Sequence, residues 1–221
     1  MIAKTDTSER PQTIGEEVAN SISHGLALLV SIIALPVLII DAVRDGGGTS
    51  IVGASIFGTT MLMMYLTSTL YHALPTGRGK RVFLVLDHCA IFLLIAGTYT
   101  PFTLGALHGA WGWSLFGAVW GLALVGIVFK VFTTGRFEKL SLAVYLVMGW
   151  CVMVAVKPLL AALPAGGLWL LLAGGLSYSI GTIFYRWESL RYHHAIWHVF
   201  VLAGSVFHYF AVLIYVLPGK P

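Results

Sequence analysis

His194 and His198 stand one helical turn apart at the head of an apolar run that ends at Leu217. On a helix such an i, i+4 pair shares one face, with Cβ atoms roughly 5–6 Å apart, close enough for two imidazoles to hold one metal ion. Ser68 and His72 repeat the spacing just before Pro75, and Asp87 sits in the apolar run that follows. Ionisable side chains are costly inside a bilayer, so within apolar segments they read as functional and need partners. Three histidines are what a catalytic zinc site needs. Neutral imidazole binds zinc at about 2.0–2.1 Å, and three protein ligands leave a fourth position for water. The metal lowers the pKa of that water towards about 7. Asp87 is then the base or hydrogen-bond acceptor beside the water, and Ser68 a polarising hydroxyl. A four-ligand site with Asp87 bound directly stays open at this point.

The elements that must position these residues are membrane helices. The chain has 221 residues, 58% hydrophobic and 10% charged, with a mean hydropathy of +0.88. Soluble domains carry about 25% charged residues, so the composition excludes an ordinary soluble enzyme and indicates a polytopic membrane protein. A span needs about 20 mostly apolar residues. Seven stretches qualify: 22–43, 51–74, 82–104, 111–132, 140–156, 167–185 and 194–217. The fifth is the shortest and is closed by Lys157-Pro158. All loops are short, so the expected architecture is an all-α bundle of seven transmembrane helices forming one domain over residues 1–221. Residues 1–20 form a polar cytoplasmic segment. That segment lacks the basic start of a signal peptide, and the first span is expected to be retained. Cys89 and Cys151 both fall inside spans, which speaks for small core residues and against a disulfide framework.

Loop charge sets the orientation. Lys4, Arg10, Arg78, Lys80, Arg81, Lys130, Arg136, Lys139, Arg186 and Arg191 fall on one side, and only Arg44, Lys157 and Lys220 on the other. The positive-inside rule then puts the N-terminus in the cytoplasm and the C-terminus outside. The net charge of +4 is this basic rim, and no nucleic-acid partner is implied. With that topology Ser68, His72, Asp87, His194 and His198 all lie at cytoplasmic helix ends. Residues distant in sequence therefore share one depth.

Other polar positions are weaker signals. Glu17, Asn20 and His24 form one helical stripe, with Glu17 favoured by the helix dipole and Asn20 a candidate cap. His24 lies too deep for a cap. His88 and His193 read as rim residues or as groups behind the ligands. His208 is on nearly the same face as His194 but roughly 21 Å farther along at 1.5 Å per residue, which removes it from the metal shell. Gly117 and Gly121 have a helix-packing spacing. Trp111, Trp113 and Trp169 suit an outer aromatic belt, and the fifth and sixth spans read as bundle wall.

The stripe Glu17, Asn20 and His24, the runs Ser68–His72, Leu86–Ile91 and His193–His198, and the segments Ala96–Pro101 and Leu202–His208 resemble bacterial hemolysin III proteins. That family is grouped with the progestin and adipoQ receptors and the alkaline ceramidases. The resemblance covers essentially the whole chain. It implies zinc on His72, His194 and His198, with Asp87 and Ser68 beside the water, and a multi-pass protein of the bacterial inner (plasma) membrane. The ceramidase relatives imply cleavage of an amide in a lipid. The expected function is thus a zinc-dependent integral-membrane hydrolase acting on an acyl-lipid amide or ester, with a membrane lipid as substrate or ligand. The alternative is a hemolysin-type pore former or a sensor with a structural zinc.

Overall fold

The chain forms helices throughout, in a computed structural model that describes residues 11–107 and 109–217. The N-terminal residues 1–10, with Lys4 and Arg10, and the C-terminal Lys220 lie outside the described residues. The helices are α1 (Ile14–Asp41), α2 (Gly48–Ala73), α3 (Arg78–Pro101), α4 (Gly109–Thr133), α5 (Glu138–Trp150), α6 (Val156–Ala162), α7 (Ala165–Arg186) and α8 (His193–Tyr215). Among the described residues they supply seven helical segments long and apolar enough to cross a membrane, α5 and α6 together making the fifth. The expected all-α, seven-span architecture therefore holds.

The first helix begins earlier than the apolar run suggested. A capping box starts it: Thr13 Oγ1 accepts from the Glu16 N–H at 3.3 Å, and Glu16 Oε2 accepts from the Thr13 N–H at 2.8 Å. This satisfies two donors that a helix N-terminus otherwise leaves free. Thr13 is the cap, so Asn20 is not; it lies a turn and a half inside the helix, fully buried. The buried face of α1 carries Glu16, Asn20, His24, Ala27, Ser31 and Leu38. Its exposed positions include Val18, Ile22, Leu26, Leu29 and Ile33. A water-soluble helix does the opposite. The polar stripe faces the bundle because the other side faces lipid.

The fifth span also differs from expectation. It does not stop at Lys157-Pro158 but breaks at a 3-10 turn, Cys151–Ala155, and resumes as α6 through Ala162. Pro158 falls in the first turn of α6, where its missing N–H costs nothing. Tyr99 of α3 stitches the break. Its hydroxyl lies 3.0 Å from the Met148 carbonyl and 2.7 Å from that of Gly149, and accepts the Val152 N–H at 2.9 Å.

Small residues let the helices approach, but not the expected pair. A Cβ on Gly117 or Gly121 would meet nothing within 4 Å, so that spacing faces outward. The close approaches are elsewhere. A Cβ on Gly53 would come within 2.8 Å of the Pro101 Cα, where α2 crosses α3, and one on Gly204 within 2.6 Å of the Tyr178 ring, where α7 meets α8. Lys130 is a further difference. Rather than lying on the basic rim, it is fully buried, with Nζ 2.7 and 2.8 Å from the two Glu138 carboxylate oxygens. A lysine at this depth needs that partner. Trp111, Trp113 and Trp169 stay at least half exposed near helix ends, as an aromatic belt requires. Both cysteines are free thiols.

Tyr99→Phe removes the hydroxyl that bridges the α5 break. The variant is expected to lose about 1–2 kcal/mol of stability, measurable as a lowered unfolding midpoint in detergent.

Candidate metal centre

The alternating direction of the spans brings the chemistry to one end of the bundle. His72 is in the last turn of α2, Asp87 lies in the third turn of α3, and His194 and His198 occupy the first two turns of α8. The candidate ligand atoms of His72, His194 and His198 all lie within 4.8 Å of one another. Two nitrogens bound to one zinc are at most roughly 4 Å apart, so small ring rotations bring the trio onto a single ion. Ring centroids are 4.7 Å apart for His194–His198, 5.0 Å for His72–His194 and 5.2 Å for His72–His198.

Tautomers show whether the set suits a metal. The His72 Nδ1–H donates to Glu17 Oε2 at 2.7 Å. In the neutral imidazole Nε2 then carries the lone pair, buried and without a hydrogen-bond partner. The His198 Nδ1–H donates to the Asn20 carbonyl at 3.2 Å and to Ser23 Oγ at 3.0 Å, so its Nε2 is also the acceptor nitrogen. A buried lone pair without a donor is costly. Metal-binding histidines show this pattern, one nitrogen held by a protein acceptor and the other presented to the ion. The three histidines fit a metal ion.

Ser68 and Asp87 lie beside the trio but not in identical surroundings. Ser68 is buried and its hydroxyl is 2.7 Å from His24 Nδ1. Asp87 is partly accessible from a cavity of about 500 Å³, which Ser68, His72, His194 and His198 also line. Its carboxylate lies within interaction range of Ser68, His72 and His88. His24 is a fourth imidazole of the cluster. Its ring stacks on His198 with centroids 3.4 Å apart and planes 8° from parallel, and meets Tyr65 edge-on.

Among the described residues, the other histidines stay outside. His88 Nδ1 donates to the Leu84 carbonyl at 2.8 Å, and His193 Nδ1 to the Phe184 carbonyl at 3.2 Å. His208 donates through Nε2 to the Leu171 carbonyl at 3.2 Å. The cavity reaches as far as His208, along walls that include Tyr145 and Trp150 of α5 and Tyr178 of α7. The fifth and sixth spans are thus walls of the cavity as well as of the bundle.

Spacing alone does not disclose the contacts of α1 with the cluster: Glu17 on His72, Asn20 and Ser23 on His198, and His24 on Ser68. The stripe Glu17–Asn20–His24 was the available signal, because three polar residues on one face of a membrane helix must point inward. What hid it was the plausible alternative of a helix start at Asn20, which Thr13 removes.

Known proteins resemble this chain over most of its length. The family described as haemolysin-III related matches residues 12–209. Hemolysin-3 of Bacillus cereus is 49% identical over 207 residues, 94% of each chain. The Hemolysin-3 homolog of Bacillus subtilis is 54% identical over 203 residues, 92% of this chain and 95% of the relative. A more distant similarity, 26% identity over 210 residues, reaches the human monocyte to macrophage differentiation factor and covers 90% of this chain and 84% of that protein. No solved structure matches. The chain belongs to the haemolysin-III family of membrane proteins, and the human relative supports its place in the progestin and adipoQ receptor superfamily.

Alanine at His72, His194 or His198 is expected to weaken metal binding by at least about tenfold, whereas His208→Ala leaves it unchanged. Metal analysis of the four purified variants reads this directly.

Proposed function

We propose that the protein is a zinc-dependent integral-membrane hydrolase that cleaves an amide or ester bond of an acyl lipid. The observation that carries this reading is the convergence of three histidines, two with a nitrogen held by α1 acceptors, on a cavity that also holds a carboxylate and a hydroxyl. A zinc ion on His72, His194 and His198 would supply Lewis acidity and lower the pKa of water towards about 7. In this reading Asp87 takes the proton from an attacking water and returns it to the leaving nitrogen or oxygen as the acyl C–N or C–O bond breaks. Ser68, held by His24, orients the carbonyl or the water. The apolar walls of the cavity, among them Leu94, Ile95, Leu146 and Val201, receive the acyl chain and keep water out.

Loop charge supports the orientation. Among the described residues the end that carries the histidines also carries Arg78, Lys80, Arg81, Arg136, Lys139, Arg186 and Arg191, and the other end only Arg44 and Lys157. The site then opens to the inner leaflet of the plasma membrane, with the whole chain acting as one domain. The name of the Bacillus relatives favours a second reading, a cytolytic pore.

Liposomes separate the two. Reconstituted protein is expected to release acyl chains from amide or ester lipids, to lose this on chelation, and to lose about 10²–10⁴-fold in rate in Asp87→Asn. Dye leakage that survives alanine at all three histidines, without lipid hydrolysis, supports the pore instead.

A further inference from the structure

The hydrogen bonds that hold His72 and His198 from behind come from one stretch of α1. Asn20 and Ser23 take the Nδ1–H of His198, and Glu17 takes that of His72. Of these three, Glu17 alone brings a charge. Its second oxygen is 2.9 Å from Lys80 Nζ, and the same ammonium donates to the carbonyls of Tyr71 at 2.9 Å and Leu74 at 3.3 Å, at the end of α2. Lys80 therefore ties the carboxylate to the very turn that carries His72. The closed circuit of Lys80, Glu17 and His72 leaves the imidazole little freedom to turn. A charge-assisted bond of this kind is roughly twice as strong as a neutral one.

We propose that Glu17 is the positioning residue of the metal centre: it fixes His72 in the tautomer that presents Nε2 and, by drawing on Nδ1–H, strengthens that nitrogen as a donor, so that it sets how tightly the ion is held. This rests on the reading of the three histidines as ligands. Glu17 touches no ligand atom of the trio itself, and its effect passes through His72. A purely structural pin between α1 and α2 would need only an acceptor; control of affinity needs the charge.

Glu17→Gln separates these, because its amide oxygen still accepts the His72 proton. Zinc and cobalt affinities of the purified full chain, read by chelator competition, are expected to fall about 10–100-fold in this variant. The visible bands of the cobalt form should keep their positions, since the three imidazoles are unchanged, and Glu17→Asp should recover most of the loss. Metal-free thermal stability should fall only modestly, because the amide keeps the bond to His72 and loses the one to Lys80. Affinity unchanged in Glu17→Gln, whatever its stability, overturns the proposal while leaving the metal centre standing. A wild type that binds neither ion overturns both. Should Glu17→Gln fail to fold, Lys80→Met carries the test: a several-fold loss of affinity supports the circuit, and none overturns it.

Discussion

Four imidazoles, those of His24, His72, His194 and His198, pack against one another at one end of an apolar bundle. Each has two ring nitrogens to satisfy where bulk water is scarce, and an unsatisfied polar group costs several kcal/mol in such surroundings. Much of the local structure follows from that constraint. The buried face of α1 is polar because it supplies acceptors. Its start is fixed by the Thr13–Glu16 capping box, and Glu16 Oε1 also accepts the Tyr192 N–H at 3.1 Å, directly ahead of α8. About two turns of one helix thus hold both the acceptors and the end of the helix that bears two of the histidines.

The same constraint explains why α1 matters although it offers no ligand. It is the helix with the polar stripe turned inward and an exposed apolar side, so it can reach α2 and α8 together while facing lipid behind. Glu17 holds His72, Asn20 and Ser23 together hold His198, and His24 holds Ser68. The cavity beyond is apolar along much of its length and continues to the level of His208. A polar head and an apolar body is the shape that the proposed acyl-lipid substrate requires.

The sequence made the spans and the shared depth of Ser68, His72, Asp87, His194 and His198 legible, because hydropathy and i, i+4 spacing are local properties. Contacts between helices were less so. Glu17–His72 and His24–Ser68 depend on how α1 is rotated against α2, which no spacing within α1 fixes. Lys130 read as rim because its partner Glu138 lies across a loop, and burial of a lysine becomes intelligible only with the carboxylate in place. Gly117 and Gly121 had the right spacing on the wrong face. The α5 break was marked by Pro158, but that it resumes as a helix depends on Tyr99, a residue of another span.

The central claim is a metal held by three imidazoles with one coordination position left free of protein. X-ray absorption at the metal edge, on the full chain purified without chelators, tests it most directly. The expected result is scattering from three imidazoles plus one lighter, non-imidazole neighbour. A fourth imidazole, with His24 drawn into the shell, would mark a closed structural site, and protein without bound metal would contradict the claim outright.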